Sequence, residues 1–407
     1  MIRQRCYQFR LRPTPQQECL FRQWAGCRRL VWNHFLQRRK EHYHFTGKRL
    51  SYTALCKELT RLKQQPDFAF LNDCDAQALQ QVLKDLSTAY VNFFAGRAKF
   101  PHRKSKKRTP NAFRIPQRVR LEGEEVCLPK AGLVPALLHR EMEGEIKSAT
   151  VKQEPSGKWS ITFVSHFEAP EIEVGEPQSP IGLDAGLESF VTTSDGEKTP
   201  PPKFYRKQER KLRRAQRQHS RKKQGSRNRA KAKAKKRVAV CHAKVRNQRN
   251  GWLHKLSRKI AHQHDVVCVE DLCVSALTKT KLRGHSKSWN DVAWGTFRRQ
   301  LCYKQEWQGR RLVEISRWYP SSQKCHVCHV CTKHSLSVRV WTCGHCGTLH
   351  DRDTNAAKNI EAEGLRLVTA GNAGTQNVCG TDVSLPKGEQ LVLKQKPSNC
   401  EVRSPRL

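Results

Sequence analysis

Hydrophobic and polar residues alternate at the start of the chain and then recur at the spacing of a helix. Residues 7–12 place Tyr, Phe and Leu between Gln and Arg, which predicts a strand with a basic outer face. The run Thr14-Pro15-Gln16-Gln17 combines a helix N-cap, a proline at the first helical position and a glutamine that closes a capping box. Apolar residues then follow at helical spacing over 20–35 and again over 79–93, so two amphipathic helices are predicted.

From residue 113 to 170 the pattern becomes that of β-structure. The clearest segment is SATVKQEPSGKWSITFV, in which two alternating runs flank Pro155-Ser156-Gly157 and predict a hairpin. We expect the first strand of the chain to join this sheet.

The second half of the chain alternates strand and helix patterns. IGLDAGLESFVTTSDG, which begins at Ile181, predicts a strand, a tight turn and a second strand. DVVCVED, over 265–271, is a continuous apolar run that ends in two acids, as is typical of a buried central strand. A helix is predicted around 294–301 and a further strand over 310–316. The predicted fold class is therefore a multidomain α/β chain.

Breaks in these patterns divide the chain into predicted units. In chain order they are the first strand of a β domain (1–13), a helical domain (14–112), the rest of the β domain (113–172), a linker (173–180), an α/β domain with a basic helical segment (181–320, the basic segment over 206–250), a cysteine-rich insertion (321–349), the end of the α/β domain (350–370) and a flexible tail (371–407).

The net charge of the chain indicates the class of its binding partner. The chain has 77 Lys and Arg against 36 Asp and Glu, a net charge of +41, which is far more than solubility requires. Residues 206–237 alone contain 17 Lys and Arg and one acid, and predict a basic helical hairpin with a break near Gly225-Ser226. No stretch approaches the ~18 apolar residues of a membrane span, and no signal sequence follows Met1. We therefore expect a cytoplasmic, nucleic-acid-binding protein without a membrane partner.

Three acids occupy positions from which they could meet. Asp184 lies at the end of a predicted strand between two glycines, which would let a backbone or a phosphate approach closely; Glu270 ends the buried strand, and Asp353 begins a helix. Three carboxylates in one cleft repel one another unless cations neutralise them. Two Mg²⁺ ions held in this way can hydrolyse a phosphodiester. The alternatives are a turn role for Asp184, a surface position for Glu270 with Asp271 as an equal candidate, and helix capping by Asp351 or Asp353.

Two CxxC pairs predict a zinc site. Cys325/Cys328 and Cys343/Cys346 are separated by fourteen residues, and two such pairs can close a tetrahedron of thiolates around Zn²⁺. Four thiolates leave no open position, so the predicted role of the ion is structural. The alternative ligands are Cys331, His326, His329 and His345.

A few other side chains are candidate nucleic-acid contacts. Trp32, Trp294, Trp307 and Trp341 are candidates for base stacking, with a core position as the alternative for each. Arg352, next to Asp353, is a candidate phosphate contact.

Taken in order, several motifs resemble one known family. The series IGLDAGL, VVCVEDL, the Trp294-Gly295-x-Phe297 helix, YPSSQKCHVC, WTCGHCG and HDRDTNAAKNI resembles the transposon-encoded TnpB family, whose members are compact relatives of the type V CRISPR effector nucleases. FRLRPTPQQ, GCRRLVWNHF and KFPHRKSKKR are similar to that family too, so the resemblance covers nearly the whole chain except the tail.

The resemblance implies an RNase H-like (RuvC-type) nuclease domain with an inserted zinc ribbon, and N-terminal helical recognition and β-barrel-like wedge parts. It implies a guide RNA derived from the transposon end, and Mg²⁺-dependent cleavage of double-stranded DNA beside a short transposon-associated motif. A companion transposase from the same element is a further expected partner. The family's catalytic, magnesium-binding acids fall on Asp184, Glu270 and Asp353, and its zinc ligands on Cys325, Cys328, Cys343 and Cys346.

Two other functions are alternatives. RNase H-like transposases also use three acids, but the ribbon between the second and third acids and the basic segment between the first and second favour the nuclease. A nuclease-independent regulator of transposition that binds RNA or DNA is the other alternative, and the presence of all three acids argues against it.

Overall fold

The computed structural model describes residues 1–171, 175–222, 229–279, 285–335 and 337–370. The tail predicted over 371–407, part of the predicted linker and the helix break near Gly225-Ser226 lie outside these residues. None of the helices within them combines the length and apolar character that a membrane span requires.

An antiparallel sheet occupies the N-terminal part of the chain. Its strands are β1 (Ile2–Leu11), β2 (Ala112–Ile115), β3 (Arg120–Glu122), β4 (Glu125–Leu128), β5 (Gly132–Leu137), β6 (Glu145–Gln153) and β7 (Trp159–Glu168), in the order β2-β6-β7-β1-β5-β4-β3. β1 pairs with β7 along its whole length, which confirms that the first strand joins this sheet. The predicted hairpin is formed by β6 and β7 and turns at Gly157, whose φ of +89° suits glycine.

Helices α1 (Pro15–Thr46), α2 (Tyr52–Gln64) and α3 (Ala76–Phe94), with a 3-10 helix at Pro66–Asp73, accompany this sheet. α1 begins at the predicted capping box, in which the hydroxyl of Thr14 accepts the N–H of Gln17 and the side chain of Gln17 accepts the N–H of Thr14. Phe21 of α1 packs its ring against Trp159 of β7 at 5.3 Å between centroids. One hydrophobic core therefore serves both the helices and the sheet.

A second sheet has five strands, β8 (Pro180–Ala185), β9 (Val191–Thr193), β10 (Lys198–Thr199), β11 (Val266–Glu270) and β12 (Arg311–Ile315). Their order is β10-β9-β8-β11-β12; β8, β11 and β12 run parallel, and β9 and β10 form antiparallel pairs at one edge. The strands predicted from Ile181, over 265–271 and over 310–316 are all present. The short β10 was not predicted, because two residues carry no periodic signal.

The remaining elements of this half of the chain are helices and a two-stranded sheet. They are α4 (Phe204–Ser220), α5 (Arg229–Gln263), α6 (Val274–Leu277), α7 (His285–Val292), α8 (Trp294–Trp307), the two-stranded sheet of β13 (Val340–Thr342) and β14 (Leu349–Asp351), and α9 (Arg352–Thr369). The basic helices α4 and α5 pack against each other, and the helical region runs to Gln263, beyond the predicted limit of 250.

Helices cover both faces of β11, which is why its sequence is continuously apolar. Val267 and Val269 lie in one cluster with residues of α5 and α8. Val266 and Cys268 lie in a second cluster with Ile360 of α9. Side chains alternate along the strand, so the odd-numbered residues of β11 face α5 and α8 and the even-numbered residues face α9.

Candidate functional site

Strand alternation directs two of the predicted acids to the same face. Glu270 continues the even positions of β11, on the side of α9. On the neighbouring strand β8, Ile181 and Leu183 pack on the α5–α8 side, so Gly182 and Asp184 face α9. Because β8 and β11 are adjacent and parallel, their carboxyl ends place Asp184 and Glu270 at one edge of the sheet.

Helix α9 brings the third acid to this edge. Gly182 has no side chain, and a Cβ there would lie 2.0 Å from the carbonyl oxygen of Ala357, so the helix backbone rests directly on β8. The predicted close approach at this glycine is therefore made by protein backbone. Asp351 is the N-cap of the helix, since it accepts the N–H of Thr354 at 3.0 Å, and Asp353 follows in the first turn.

The electrostatics of Asp184 show that the three carboxylates interact. Burial, together with the negative charges of Glu270 and Asp353, raises the pKa of Asp184 to about 7, although the N–H of Ala185 and the charge of Arg352 oppose the rise. The side chain keeps some solvent exposure, yet it is densely surrounded by protein. A cation bound here would relieve this repulsion.

A serine holds the second acid. The hydroxyl of Ser321 donates a short hydrogen bond to Glu270. Burial raises the pKa of Glu270, and this hydrogen bond partly offsets the rise. Ser321 begins the cysteine-rich segment, so that segment contacts Glu270 directly.

The neighbouring Asp271 faces the other way. Its carboxylate accepts hydrogen bonds from Arg298 of α8, at 2.8 Å, and from Arg317. Burial alone would raise the pKa of Asp271, but these two guanidinium groups lower it overall. The structure therefore places Glu270, and not Asp271, beside Asp184.

Arginines border the cluster on the helix side. The guanidinium of Arg339 lies 3.3 Å from the carboxylate of Asp353 and 2.8 Å from that of Glu188. Arg352 donates to the backbone oxygen of Ser335 at 2.9 Å. Arg339 was not predicted, because nothing in the sequence pattern distinguishes it among 77 basic residues.

The four predicted cysteines converge. The sulfur atoms of Cys325, Cys328, Cys343 and Cys346 lie within 4.8 Å of one another, and in the described part of the chain no other group of His, Cys, Asp or Glu ligand atoms gathers so closely. The sulfur atoms of Cys325 and Cys346 are 3.7 Å apart, and those of Cys328 and Cys343 are 3.5 Å apart. A tetrahedral site with zinc–sulfur bonds of ~2.3 Å has sulfur–sulfur distances of about 3.8 Å, so the cluster fits this ion.

The alternative ligands lie elsewhere. Cys331 forms a β-bridge with Lys324 and is exposed, and the ring of His326 bonds to the side chain of Asn355. His329 and His345 are exposed and are not part of the sulfur cluster. The structure does add one neighbour that was not predicted, the buried His350, whose Nε2 lies 3.1 Å from the sulfur of Cys325.

Of the tryptophans considered for stacking, Trp32, Trp294 and Trp341 are buried. Trp307 is partly buried, with its ring against that of Tyr303 and under the guanidinium of Arg5. The core alternative therefore describes these residues better than base stacking does.

Three family models match the chain. One described as "OrfB_IS605: Probable transposase" matches residues 153–281. One described as "Cas12f1-like, TNB domain" matches residues 294–360, and a "Helix-turn-helix domain" matches residues 1–48. In the structure the last range contains β1 and the single helix α1 instead of two helices.

Two similar proteins match more than nine tenths of the chain. The chain is 37% identical to a Streptomyces pristinaespiralis protein named "Putative RNA-guided DNA endonuclease", over 99% of this chain and 98% of that protein. It is 36% identical to "Putative RNA-guided DNA endonuclease InsQ" of Escherichia coli (strain K12), over 91% of this chain and 95% of that protein. Among solved structures, it resembles the "Cryo-EM structure of the Cas12f1-sgRNA-target DNA complex" in fold, with a TM-score of 0.53 at 13% identity, over 86% of this chain and 83% of that one.

Proposed function

The chain belongs to the TnpB family, and from this membership we propose that it is an RNA-guided DNA endonuclease of a transposable element. It hydrolyses phosphodiester bonds of double-stranded DNA beside a short transposon-associated motif. The observation that carries the proposal is the convergence of Asp184, Glu270 and Asp353 at one edge of the second sheet, where burial and the two neighbouring negative charges raise the pKa of Asp184 to about 7.

We assign the second sheet with α9 to an RNase H-like, RuvC-type nuclease domain. Its strand order supports this assignment. Across the sheet, the antiparallel strands β10 and β9 form one edge, and the parallel strands β8, β11 and β12 follow. The acids then lie at the carboxyl ends of the two central strands, where open α/β sheets bind their ligands.

Asp184, Glu270 and Asp353 are the residues that would hold Mg²⁺, since carboxylate oxygens are the hard ligands that this ion prefers. When bound, two such ions would activate the attacking water and stabilise the leaving oxygen. Ser321 keeps Glu270 oriented toward the cluster through its hydrogen bond. Arg339 balances the charge of Asp353 and presents a cation at the edge where a phosphate would enter.

Cys325, Cys328, Cys343 and Cys346 would hold one structural Zn²⁺, because four thiolates leave no position for a substrate. The partners are a guide RNA from the transposon end and a double-stranded DNA target, whose sequence the RNA would read by base pairing. The basic helices α4 and α5 supply phosphate contacts that depend on charge and carry no sequence information. A companion transposase stays a prediction.

The test uses the chain co-expressed with its native flanking transposon DNA. RNA that copurifies is sequenced, and the complex is incubated with Mg²⁺ and a plasmid library that carries the matched target beside randomised flanks. We expect a discrete RNA and cleavage beside one flanking motif, which Asp184→Ala abolishes. Asp271→Asn is the matched control, since this acid points away from the cluster, and it should leave cleavage intact.

The alternatives give different results. RNA binding without Mg²⁺-dependent cleavage would indicate a regulator of transposition instead of a nuclease. Strand transfer of transposon ends, without copurifying RNA, would identify a transposase.

A further inference from the structure

Trp318 differs from every other tryptophan of the chain. All nine tryptophans lie in the described residues, and Trp318 alone is exposed, with 86% of its surface accessible. A single exposed aromatic residue is common and needs no function. A function for Trp318 therefore has to be argued from its position in the fold.

The turn that carries Trp318 is fixed by the backbone. The N–H of Trp318 donates to the hydroxyl of Ser316 at 3.3 Å, and the N–H of Tyr319 donates to the carbonyl of Ser316 at 3.0 Å. Further along, the N–H of Ser321 donates to the carbonyl of Tyr319 at 2.8 Å. The indole therefore projects into solvent from an ordered frame.

The same turn contacts both acids at the carboxyl end of β11, Glu270 and Asp271. Ser321, three residues after Trp318, donates to Glu270. Arg317, directly before Trp318, pairs with Asp271. The turn thus places the exposed indole next to the edge of the sheet at which the acid cluster lies.

The charge of this turn indicates what the indole contacts. Arg317 and Lys324 lie on either side of Trp318 in the sequence, and the ammonium of Lys324 lies 3.3 Å from the hydroxyl of Tyr319. Cations attract the phosphates of a nucleic acid strand, and an exposed aromatic face in the same turn can stack on a base of any sequence. Only an unpaired base offers its face in this way, since the faces of paired bases are covered within a duplex.

We propose that Trp318 stacks on an unpaired base of the DNA strand that is presented to Asp184, Glu270 and Asp353. The ligand class is single-stranded DNA, and the stacking sets the position of the strand relative to the acids. This inference rests on the proposed nuclease function and adds a strand-positioning residue to it.

The experiment measures binding of a short single-stranded oligonucleotide that contains 2-aminopurine to the RNA-loaded protein with Asp184→Ala, which cannot cleave it. Adding Trp318→Ala should weaken binding by about 5- to 150-fold and abolish the quenching of 2-aminopurine fluorescence. Trp318→Phe, which keeps an aromatic face, should retain most of both. In the cleaving protein, Trp318→Ala should slow the cut by a comparable factor at low DNA concentration.

Phe45→Ala is the matched control, because Phe45 is 80% exposed but lies in the last turn of α1, a helix that shares its core with the other sheet. It should leave binding and quenching unchanged. Equal losses in Phe45→Ala and Trp318→Ala would overturn the inference, as would wild-type binding and quenching in Trp318→Ala with unchanged zinc content.

Binding needs no cleavage, so the two proposals can fail separately. Binding that depends on Trp318 supports the inference even in a complex that does not cut. Binding indifferent to Trp318 overturns it even where cleavage is sensitive to Asp184→Ala.

Discussion

Gly182→Ala tests whether the contact of α9 with β8 holds the acids together. An added Cβ would lie 2.0 Å from the carbonyl oxygen of Ala357, and 2.8 Å and 2.9 Å from the nitrogen and Cβ of Glu361. Ordinary contacts begin at 3.4 Å, so the helix backbone would have to retreat by about 3.4 − 2.0 = 1.4 Å. None of these neighbours is the end of a flexible side chain that could turn away.

Two quantities should change. Overpacking of this kind lowers the free energy of unfolding by about 1–3 kcal/mol. Displacement of Asp353 relative to Asp184 by about 1 Å should slow DNA cleavage about 100-fold, since reacting groups tolerate little misplacement. Denaturant unfolding of the protein and single-turnover cleavage by its RNA-loaded complex measure the two effects.

Gly251→Ala is the matched control. Gly251 lies inside α5, and no heavy atom is within 4 Å of the Cβ that alanine would add. The same methyl group should therefore raise stability by up to about 1 kcal/mol through helix propensity and leave cleavage unchanged. Cleavage at the wild-type rate and unchanged stability in Gly182→Ala would show that the contact of α9 with β8 does not hold the acids together.

Three further predictions concern the assignments of individual side chains. Cys343→Ser should abolish both cleavage and the bound zinc that elemental analysis measures, whereas Cys331→Ser should keep both. Loss of zinc in both variants would contradict the proposed set of four ligands. Glu270→Gln should abolish cleavage with little change in the free energy of unfolding. Asp271→Asn should keep cleavage and lower the free energy of unfolding by about 1 kcal/mol, since its ion pairs are partly exposed. The reverse pattern would show that Asp271, and not Glu270, is the catalytic acid. Asp351→Ala should lower the free energy of unfolding by about 1 kcal/mol through loss of the α9 N-cap, and an equal cost in Asp353→Ala would show that both acids cap the helix.

Local patterns were sufficient for most elements. The capping box at Thr14, the hairpin at Gly157 and the apolar run before Glu270 each depend on neighbouring residues alone, and the structure contains all three. The shared core of α1–α3 and the first sheet was not predicted as one unit, because contacts such as Phe21 with Trp159 join residues far apart in the chain.

The choice between adjacent acids needed the tertiary structure. Alternation along β11 separates Glu270 from Asp271, but the sequence does not say which face α9 covers. Likewise Asp351 and Asp353 both have the chemistry of a helix cap, and only the hydrogen bond to Thr354 assigns that role to Asp351. Trp318 had no periodic signal, because it lies in a turn between β12 and the cysteine cluster.

Hydrogen bonds connect the cysteine cluster to the acid cluster. Asn355 and Asn359 of α9 both donate to the backbone oxygen of Lys324, directly before Cys325. Asn359 also donates to the backbone oxygen of Ser321 at 2.8 Å, while the hydroxyl of Ser321 donates to Glu270. These buried amides connect the cysteine segment to the helix that carries Asp353 and to the serine that orients Glu270. Loss of zinc would release this segment, so we expect it to disturb two of the three acids although no cysteine touches the DNA in the proposed reaction.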